Sequence, residues 1–310
     1  MGHPAHVLCG PTASGKTDLA HAIARQTGWP ILSADAMQVY QGMDIGTAKP
    51  TAEERKSLRY SGLDWVSPDQ SFSVGTYKEM ALAFVRQMPA DQPVLIVGGT
   101  GLYIKALLQG LDDMPPVDPA IRAEVETLFA EQGLEAVQAA CRCLSPERYQ
   151  RLQDPNNPRR VMRALELAKM GVPLESRWDR IPPRGQTTMI DVESGRLHER
   201  IQRRAAHMFA NGLLEETAAL QERWPCLSPT ARQAIGYREA AAVLDGTMDL
   251  DAALQQTCTR TRQYARRQRT WFRHQLPCES IVRPEDEPID RVAERVLVAW
   301  RSRETCEIVW

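Results

Sequence analysis

Four short apolar runs punctuate the chain: Val7-Leu8-Cys9, Ile31-Leu32-Ser33-Ala34, Val94-Leu95-Ile96-Val97 and Thr188-Met189-Ile190-Asp191-Val192. Continuous apolar strands of this kind belong to parallel sheets covered on both faces. Between and after them the apolar residues change to helical spacing. Leu19, Ala20, Ile23 and Ala24 form one such stripe; Tyr77, Met80, Ala81, Phe84, Val85 and Met88 form another. Leu102 to Gln109 reads as a helix stopped by Gly110. Strand–helix alternation predicts an α/β fold with a parallel-sheet core.

The pattern changes at Asp112-Asp113-Met114-Pro115-Pro116-Val117-Asp118-Pro119, after which strand signals stop. Asp118-Pro119, Ser145-Pro146 and Asn157-Pro158 each read as a helix start, an N-cap followed by proline at the first position. The helical block lasts to Ile181-Pro182-Pro183, and a strand resumes at Thr187. The division expected is therefore a core at 1–113, a helical insertion at 114–184 and completion of the core at 185–310. Beyond residue 195 the pattern is all helix. Leu197, Ile201, Ala205, Met208 and Phe209 share one face, Ala234 to Leu244 form another helix before Gly246, and a final long helix starts near Asp249.

The first run leads into Gly10-Pro11-Thr12-Ala13-Ser14-Gly15-Lys16-Thr17, the G-x-x-x-x-G-K-T of a phosphate-binding loop between strand and helix. Its backbone N–H groups form a nest at a helix N-terminus, Lys16 adds a point charge, and Thr17 offers a hydroxyl to Mg²⁺. The loop alone does not say which phosphate compound it holds. Asp35 closes the second strand, where it could bind Mg²⁺, accept a proton or cap a helix. The third strand runs into Gly98-Gly99-Thr100-Gly101, a flat, open loop where a nucleotide hydrolase commonly places an aspartate. Thr100 could donate into the crevice or cap the following helix.

Composition changes the picture mainly through charge. The 310 residues carry a net charge of −1, so the molecule as a whole is no polycation. Yet no acid occurs between Asp251 and Glu279, an interval holding Arg260, Arg262, Arg266, Arg267, Arg269 and Arg273. Arg262, Arg266, Arg269 and Arg273 share one helical face, with Trp271 and Phe272 interleaved. Such a face suits phosphate or RNA. Arg159, Arg160 and Arg163 form a second cluster, and Arg196, Arg200, Arg203 and Arg204 a third, which suggests a polyanion larger than a nucleotide. Seven scattered cysteines fit no disulfide framework, and Cys141-x-Cys143 lacks a second pair at zinc spacing. With no membrane-length apolar run and no signal-like N-terminus, the expected location is cytoplasmic.

Taken together these motifs resemble the tRNA dimethylallyltransferase (tRNA isopentenyltransferase) family over most of the chain. The resemblance rests on the loop at 10–17, Ser33-Ala34-Asp35 with Gln38-Val39-Tyr40, and Gly42-Met43-Asp44-Ile45-Gly46-Thr47-Ala48-Lys49-Pro50. It continues through Val97-Gly98-Gly99-Thr100-Gly101-Leu102-Tyr103, Asn157-Pro158-Arg159-Arg160 and Arg163-Ala164-Leu165-Glu166. Gln233-Ala234-Ile235-Gly236-Tyr237-Arg238, Thr261 to Gln268 and Thr270 to Arg273 complete it. Ala36 stands where many relatives carry serine, and the zinc-finger extension of eukaryotic relatives is not seen.

The resemblance implies a P-loop α/β core with an inserted helical domain. It also implies transfer of a dimethylallyl group from dimethylallyl diphosphate to N6 of the adenosine just 3′ of a tRNA anticodon, position 37, with Mg²⁺ as cofactor. Residues 10–17 then hold the diphosphate, Lys16 stabilises it, Asp35 is the base and Thr100 assists. The implied tRNA contacts are Asp35, Ala36, Met37, Gln38, Thr100, Arg122, Arg159, Arg160, Val161, Met162, Arg163, Gln233, Gly236, Tyr237, Arg238, Arg266, Arg267, Gln268, Trp271 and Arg273. The partner is the anticodon stem-loop, with no membrane and no obligate protein partner. Two rival readings are a P-loop small-molecule kinase or NTP hydrolase, and a non-catalytic RNA-binding module.

Overall fold

A computed structural model describes residues 2–111, 116–174, 182–183, 185–284 and 287–310. In chain order its elements begin with β1 (His3–Cys9), α1 (Lys16–Thr27), β2 (Ile31–Ser33), α2 (Ala52–Lys56), β3 (Tyr60–Ser61), α3 (Val74–Val85), β4 (Val94–Gly98) and α4 (Gly101–Gln109). Three helices follow, α5 (Pro119–Leu144), α6 (Pro146–Gln150) and α7 (Pro158–Lys169), then β5 (Thr187–Asp191), α8 (Ser194–Ala210), α9 (Leu213–Arg223), α10 (Tyr237–Leu244) and α11 (Leu250–Gln275). The chain finishes with β6 (Cys278–Val282), α12 (Ile289–Arg301) and β7 (Cys306–Ile308).

The strands form one seven-stranded sheet in the order β3-β2-β4-β1-β5-β6, with β7 added against β1. Every pairing along that order is parallel; only β7 runs antiparallel, with His3 opposite Ile308. Side chains alternate between two cores, as the pleat requires. Val7, Ile96 and Met189 pack with Tyr77, Ile104 and Phe272, whereas Leu8, Leu95 and Ile190 pack with Leu19, Ile23 and Val296. Burial on both faces explains why these strands read as continuous apolar runs. Because the strands are parallel, β1, β2, β4, β5 and β6 all end at one edge, where open α/β sheets bind ligands.

Two strands depart from the all-helical expectation beyond residue 195. Cys278–Val282 is an edge strand whose residues are half-buried or exposed, so it carries no continuous apolar run. Cys306–Ile308 is only three residues long, too short for periodicity to register. The final long helix does start after Asp249, whose side chain accepts from Ala252 N–H at 2.7 Å.

By its internal packing the chain divides into two units, Met1–Gly110 with Pro182–Trp310, and Leu111–Ile181. The boundary residues Asp112 to Pro115, Ile181 and Arg184 lie outside the described residues. The smaller unit is helical around Val125, Val137, Cys141, Val161 and Leu165. Asp118 caps Ala120 at 2.8 Å with Pro119 at the first helical position, and Gly133, at φ 78°, breaks α5 into two segments.

His6 on β1 is held between two indoles, with ring centroids 4.6 Å from Trp29 and 4.5 Å from Trp300. Burial lowers its pKa from 6.5 to about 4. An unfolded chain would bind the proton that the folded chain refuses, so stability is lost as pH falls from 6.5 towards 4. Thermal unfolding measured from pH 7.5 to pH 5 should therefore show a smaller drop in Tm for His6→Gln than for the parent. Equal drops would remove the histidine from the account.

Candidate active site

The phosphate loop leaves β1 at Cys9 and enters α1 at Lys16. Ala13 adopts φ 62° and Gly15 φ 85°, a conformation most side chains avoid but one that turns successive N–H groups inward. The first-turn N–H groups of α1 have no intrahelical partner by geometry. Thr12 differs from the simple expectation of a bare nest. Its N–H donates to Gln268 Oε1 at 2.8 Å, and its hydroxyl accepts from Arg204 Nη1 at 3.2 Å. The Ser14 hydroxyl is buried without a hydrogen-bond partner.

A cavity of about 1000 Å³ opens over this loop and is lined by Thr12 to Thr17, Asp35, Gln38 and Gly99 among others. Lys16 Nζ donates to the Pro11 carbonyl at 2.6 Å. Burial lowers the Lys16 pKa to about 8; Asp35 raises it, and Arg204 lowers it further. Arg204 is itself lowered by burial and sustained by Asp35. Asp35 follows β2, and its Oδ1 accepts the Met37 N–H at 2.9 Å, a local turn that fixes the carboxylate. Thr100 precedes α4 but makes no side-chain cap; its Oγ1 accepts the Ala36 N–H at 2.9 Å, tying the ends of β2 and β4 together. The Tyr264 hydroxyl lies beside Thr100, Gln268 and Asp35, and burial pushes its pKa up.

The Gly98-to-Gly101 loop is not the open surface expected. A Cβ at Gly99 would strike Gln268 Nε2, and one at Gly101 would strike the Trp271 ring. These glycines admit α11 against the loop, and Gln268 Nε2 donates to Gly99 O at 3.0 Å. Gln268 is thus a buried bridge between two loops, and Trp271 packs against the core beside Phe272.

Several residues expected to touch tRNA present no side chain to a ligand. Tyr237 is buried, donates to Glu216 and accepts from Gly46 N–H at 3.2 Å. Glu216 also accepts N–H donors from Asp44 and Ile45, so the pair pins the Gly42–Lys49 segment. Gly236 is buried beside it, and Val161 lies in the core of the smaller unit. Gln233, Arg238, Arg266 and Arg267 are exposed, as are Arg159 and Arg160. Ala36, Met37, Met162 and Arg163 are half-buried. Arg122 and Arg163 converge on Glu166, at 3.7 and 3.4 Å.

The basic face of α11 is partly neutralised by an acid from another element. Arg269 and Arg273 both meet Asp191 at the end of β5, at 2.6 and 3.2 Å. Arg260 pairs with buried Glu239. The third cluster faces the cavity instead: Arg200, Arg203 and Arg204 line it, and Arg200 donates to Ser14 O at 3.4 Å. Arg283 and Tyr264 also line it. No sequence periodicity marks Arg283, which follows an edge strand; Tyr264 lies within the family motif but reads as core.

The donors present fit a hard cation that keeps its waters. The Thr17 hydroxyl and the Asp35 carboxylate both line the cavity, and no cluster of three His, Cys, Asp or Glu occurs among the described residues. Mg²⁺ suits such a sparse set because ligand phosphates and water complete its shell.

Removing the Gln268 bridge should leave the buried Gly99 carbonyl and the half-buried Thr12 N–H without their partner. Gln268→Ala is expected to lower unfolding stability by about 2 kcal/mol in a urea titration. A change below about 0.5 kcal/mol would show that the bridge does not order the loops.

The profile of the IPP transferase family matches residues 38–275. A tRNA dimethylallyltransferase of Anaeromyxobacter dehalogenans is 42% identical over 299 residues, 94% of this chain and 96% of that protein. One from Thermus thermophilus is 43% identical over 276 residues, covering 87% and 89%. The crystal structure of a tRNA isopentenylpyrophosphate transferase from Bacillus halodurans superposes with a TM-score of 0.69 at 31% identity, covering 96% of this chain and 97% of that one. A eukaryotic dimethylallyltransferase acting on tRNA shares the fold, with a TM-score of 0.76 at 20% identity, over 96% and 78% of the chains. With a family profile across most of its length and full-length relatives above 40% identity, the chain belongs to the IPP transferase family of tRNA dimethylallyltransferases.

Proposed function

We propose that the chain transfers a dimethylallyl group from dimethylallyl diphosphate to N6 of the adenosine 3′-adjacent to the anticodon, position 37, in tRNAs reading codons that begin with U. The observation carrying this reading is the cavity shared by the phosphate loop, Lys16 and the Asp35 carboxylate. N6 attacks the terminal carbon of the allylic chain, the carbon–oxygen bond breaks, and its electron pair leaves with diphosphate. The loop N–H groups and Lys16 stabilise charge on that leaving group as it develops. Thr17 would hold Mg²⁺, which when bound would add positive charge against the leaving group. Asp35 accepts the N6 proton, and Thr100, bonded to Ala36 N–H, holds the end of β4 beside the Asp35 turn.

An adenine inside a stacked loop cannot present N6 to a recessed carboxylate, so the base is flipped into the cavity. The exposed arginines Arg159, Arg160, Arg238, Arg266 and Arg267, with half-buried Arg163, bind the tRNA backbone. The enzyme works in the cytoplasm as a monomer, without an obligate protein partner. A P-loop kinase or NTP hydrolase would leave these clusters unexplained and would lack an acid after β4, where Gly99 and Thr100 stand.

A transfer assay with labelled dimethylallyl diphosphate, Mg²⁺ and unmodified tRNA tests the reading. Label should enter the anticodon-loop adenosine, with Asp35→Ala and Lys16→Ala each reducing kcat/KM at least about 100-fold. ATP hydrolysis without transfer by the parent protein would overturn it. A second measurement follows from Lys16. Its ammonium is lost as pH rises through about 8, so diphosphate affinity should weaken between pH 7 and 9. Lys16→Met should show a much flatter profile; matching profiles would assign the dependence elsewhere.

A further inference from the structure

Arg283 stands just beyond β6, at the same edge of the sheet as the phosphate loop. Its Nε is buried without a hydrogen-bond partner. No carboxylate of a described residue forms a salt bridge with it, unlike Arg260, Arg269 and Arg273. The guanidinium hangs over the loop: a Cβ built on Gly15 would lie 2.8 Å from Arg283 Nη1 and 3.8 Å from Arg200 Nη1. Both side chains line the cavity that holds Lys16.

A guanidinium in this position has an energetic problem. Arg283 as a whole is half-buried, but its Nε is dry, and a dry polar atom without a partner costs stability. Proteins accept that cost where a ligand completes the bonding. The neighbouring charges narrow the choice of ligand: Lys16, Arg200, Arg203 and Arg204 line the same cavity wall, while Asp35 faces Lys16 and Arg204 and Asp18 Oδ2 would lie 3.9 Å from the same Cβ on Gly15, so cations outnumber carboxylates around the loop. That surplus suits a multiply charged anion, and the planar fork of arginine matches phosphate oxygens bidentately. We infer that Arg283 is a further diphosphate-binding residue, standing over the phosphate loop at Gly15 and gripping the leaving group. This rests on the functional reading above in taking diphosphate as the ligand. Gly15 is held to glycine by its φ of 85°, and any Cβ there would also push the Arg283 guanidinium aside.

The test is calorimetric binding of inorganic diphosphate with Mg²⁺ to the full chain, to Arg283→Gln and to Arg283→Lys. Arg291→Gln, on the exposed face of α12, controls for loss of one positive charge. Arg283→Gln should bind diphosphate at least tenfold more weakly, and Arg283→Lys should recover part of the loss. KM for dimethylallyl diphosphate should rise in parallel, while tRNA affinity and the Tm of the ligand-free protein stay within error. Diphosphate binding by Arg283→Gln within twofold of the parent would overturn the inference. So would a loss confined to tRNA, which would reassign the guanidinium to an RNA phosphate. Failure of the parent itself to bind diphosphate would sink the functional reading, a result distinct from either.

Discussion

The side chain of Gln268 joins three parts of the chain that have no contact in sequence. Its carbonyl oxygen accepts Thr12 N–H from the phosphate loop, and its amide donates to Gly99 O after β4. Backbone groups in such loops cannot be left dry and unpaired, so one buried amide satisfies both and fixes their separation. With α11 locked there, Tyr264 is held beside Asp35 and Thr100, and Trp271 is pressed onto Gly101. The cavity depends on this arrangement, because the loops that form its floor have no ladder hydrogen bonds of their own across the gap.

Electrostatics divides the arginines into two kinds. Those paired with Asp191 and Glu239 anchor α11 and α10 to their neighbours; at 11% and 1% side-chain exposure, these acids are largely desolvated. Around the phosphate loop Arg200 and Arg204 donate to backbone oxygens and a hydroxyl, and with Lys16, Arg203 and Arg283 they outnumber the Asp18 and Asp35 carboxylates, which leaves a surplus of positive charge in a recess. A recess with low-dielectric walls focuses that surplus onto an incoming polyanion. The depressed pKa of Lys16 comes from desolvation first; Asp35 opposes it, and Arg204 adds a smaller lowering.

The Gly42–Lys49 segment shows how a loop without periodicity becomes rigid. Lys49 is buried and bonded to Asp44 at 2.5 Å, Asp64 at 2.6 Å and the Tyr40 carbonyl at 2.8 Å. Glu216 receives backbone N–H groups from the same segment. The sequence motif that most strongly marks the family in this stretch is therefore largely a record of internal bonding, with Asp44, Ile45, Thr47 and Ala48 reaching the cavity wall.

Sequence alone determined what local physics controls. Two-sided burial makes β1, β4 and β5 continuous apolar runs, and proline at the first position starts α5, α6 and α7, although of the three expected caps Asp118 bonds the backbone through its side chain while Ser145 and Asn157 do not. The phosphate loop and Asp35 were legible because strand, loop and helix succeed one another within a few residues. Tertiary structure alone decided which charges are free. The interval from Ala252 to Cys278 contains no acid, yet Asp191, Glu239 and their arginines are far apart in the chain and meet only on folding. It also decided that Tyr237, Val161 and Gln268 turn inward, and that Arg283 comes to rest over Gly15. Periodicity reports the neighbours a residue meets along its own element, whereas pairing across elements is set by how those elements pack.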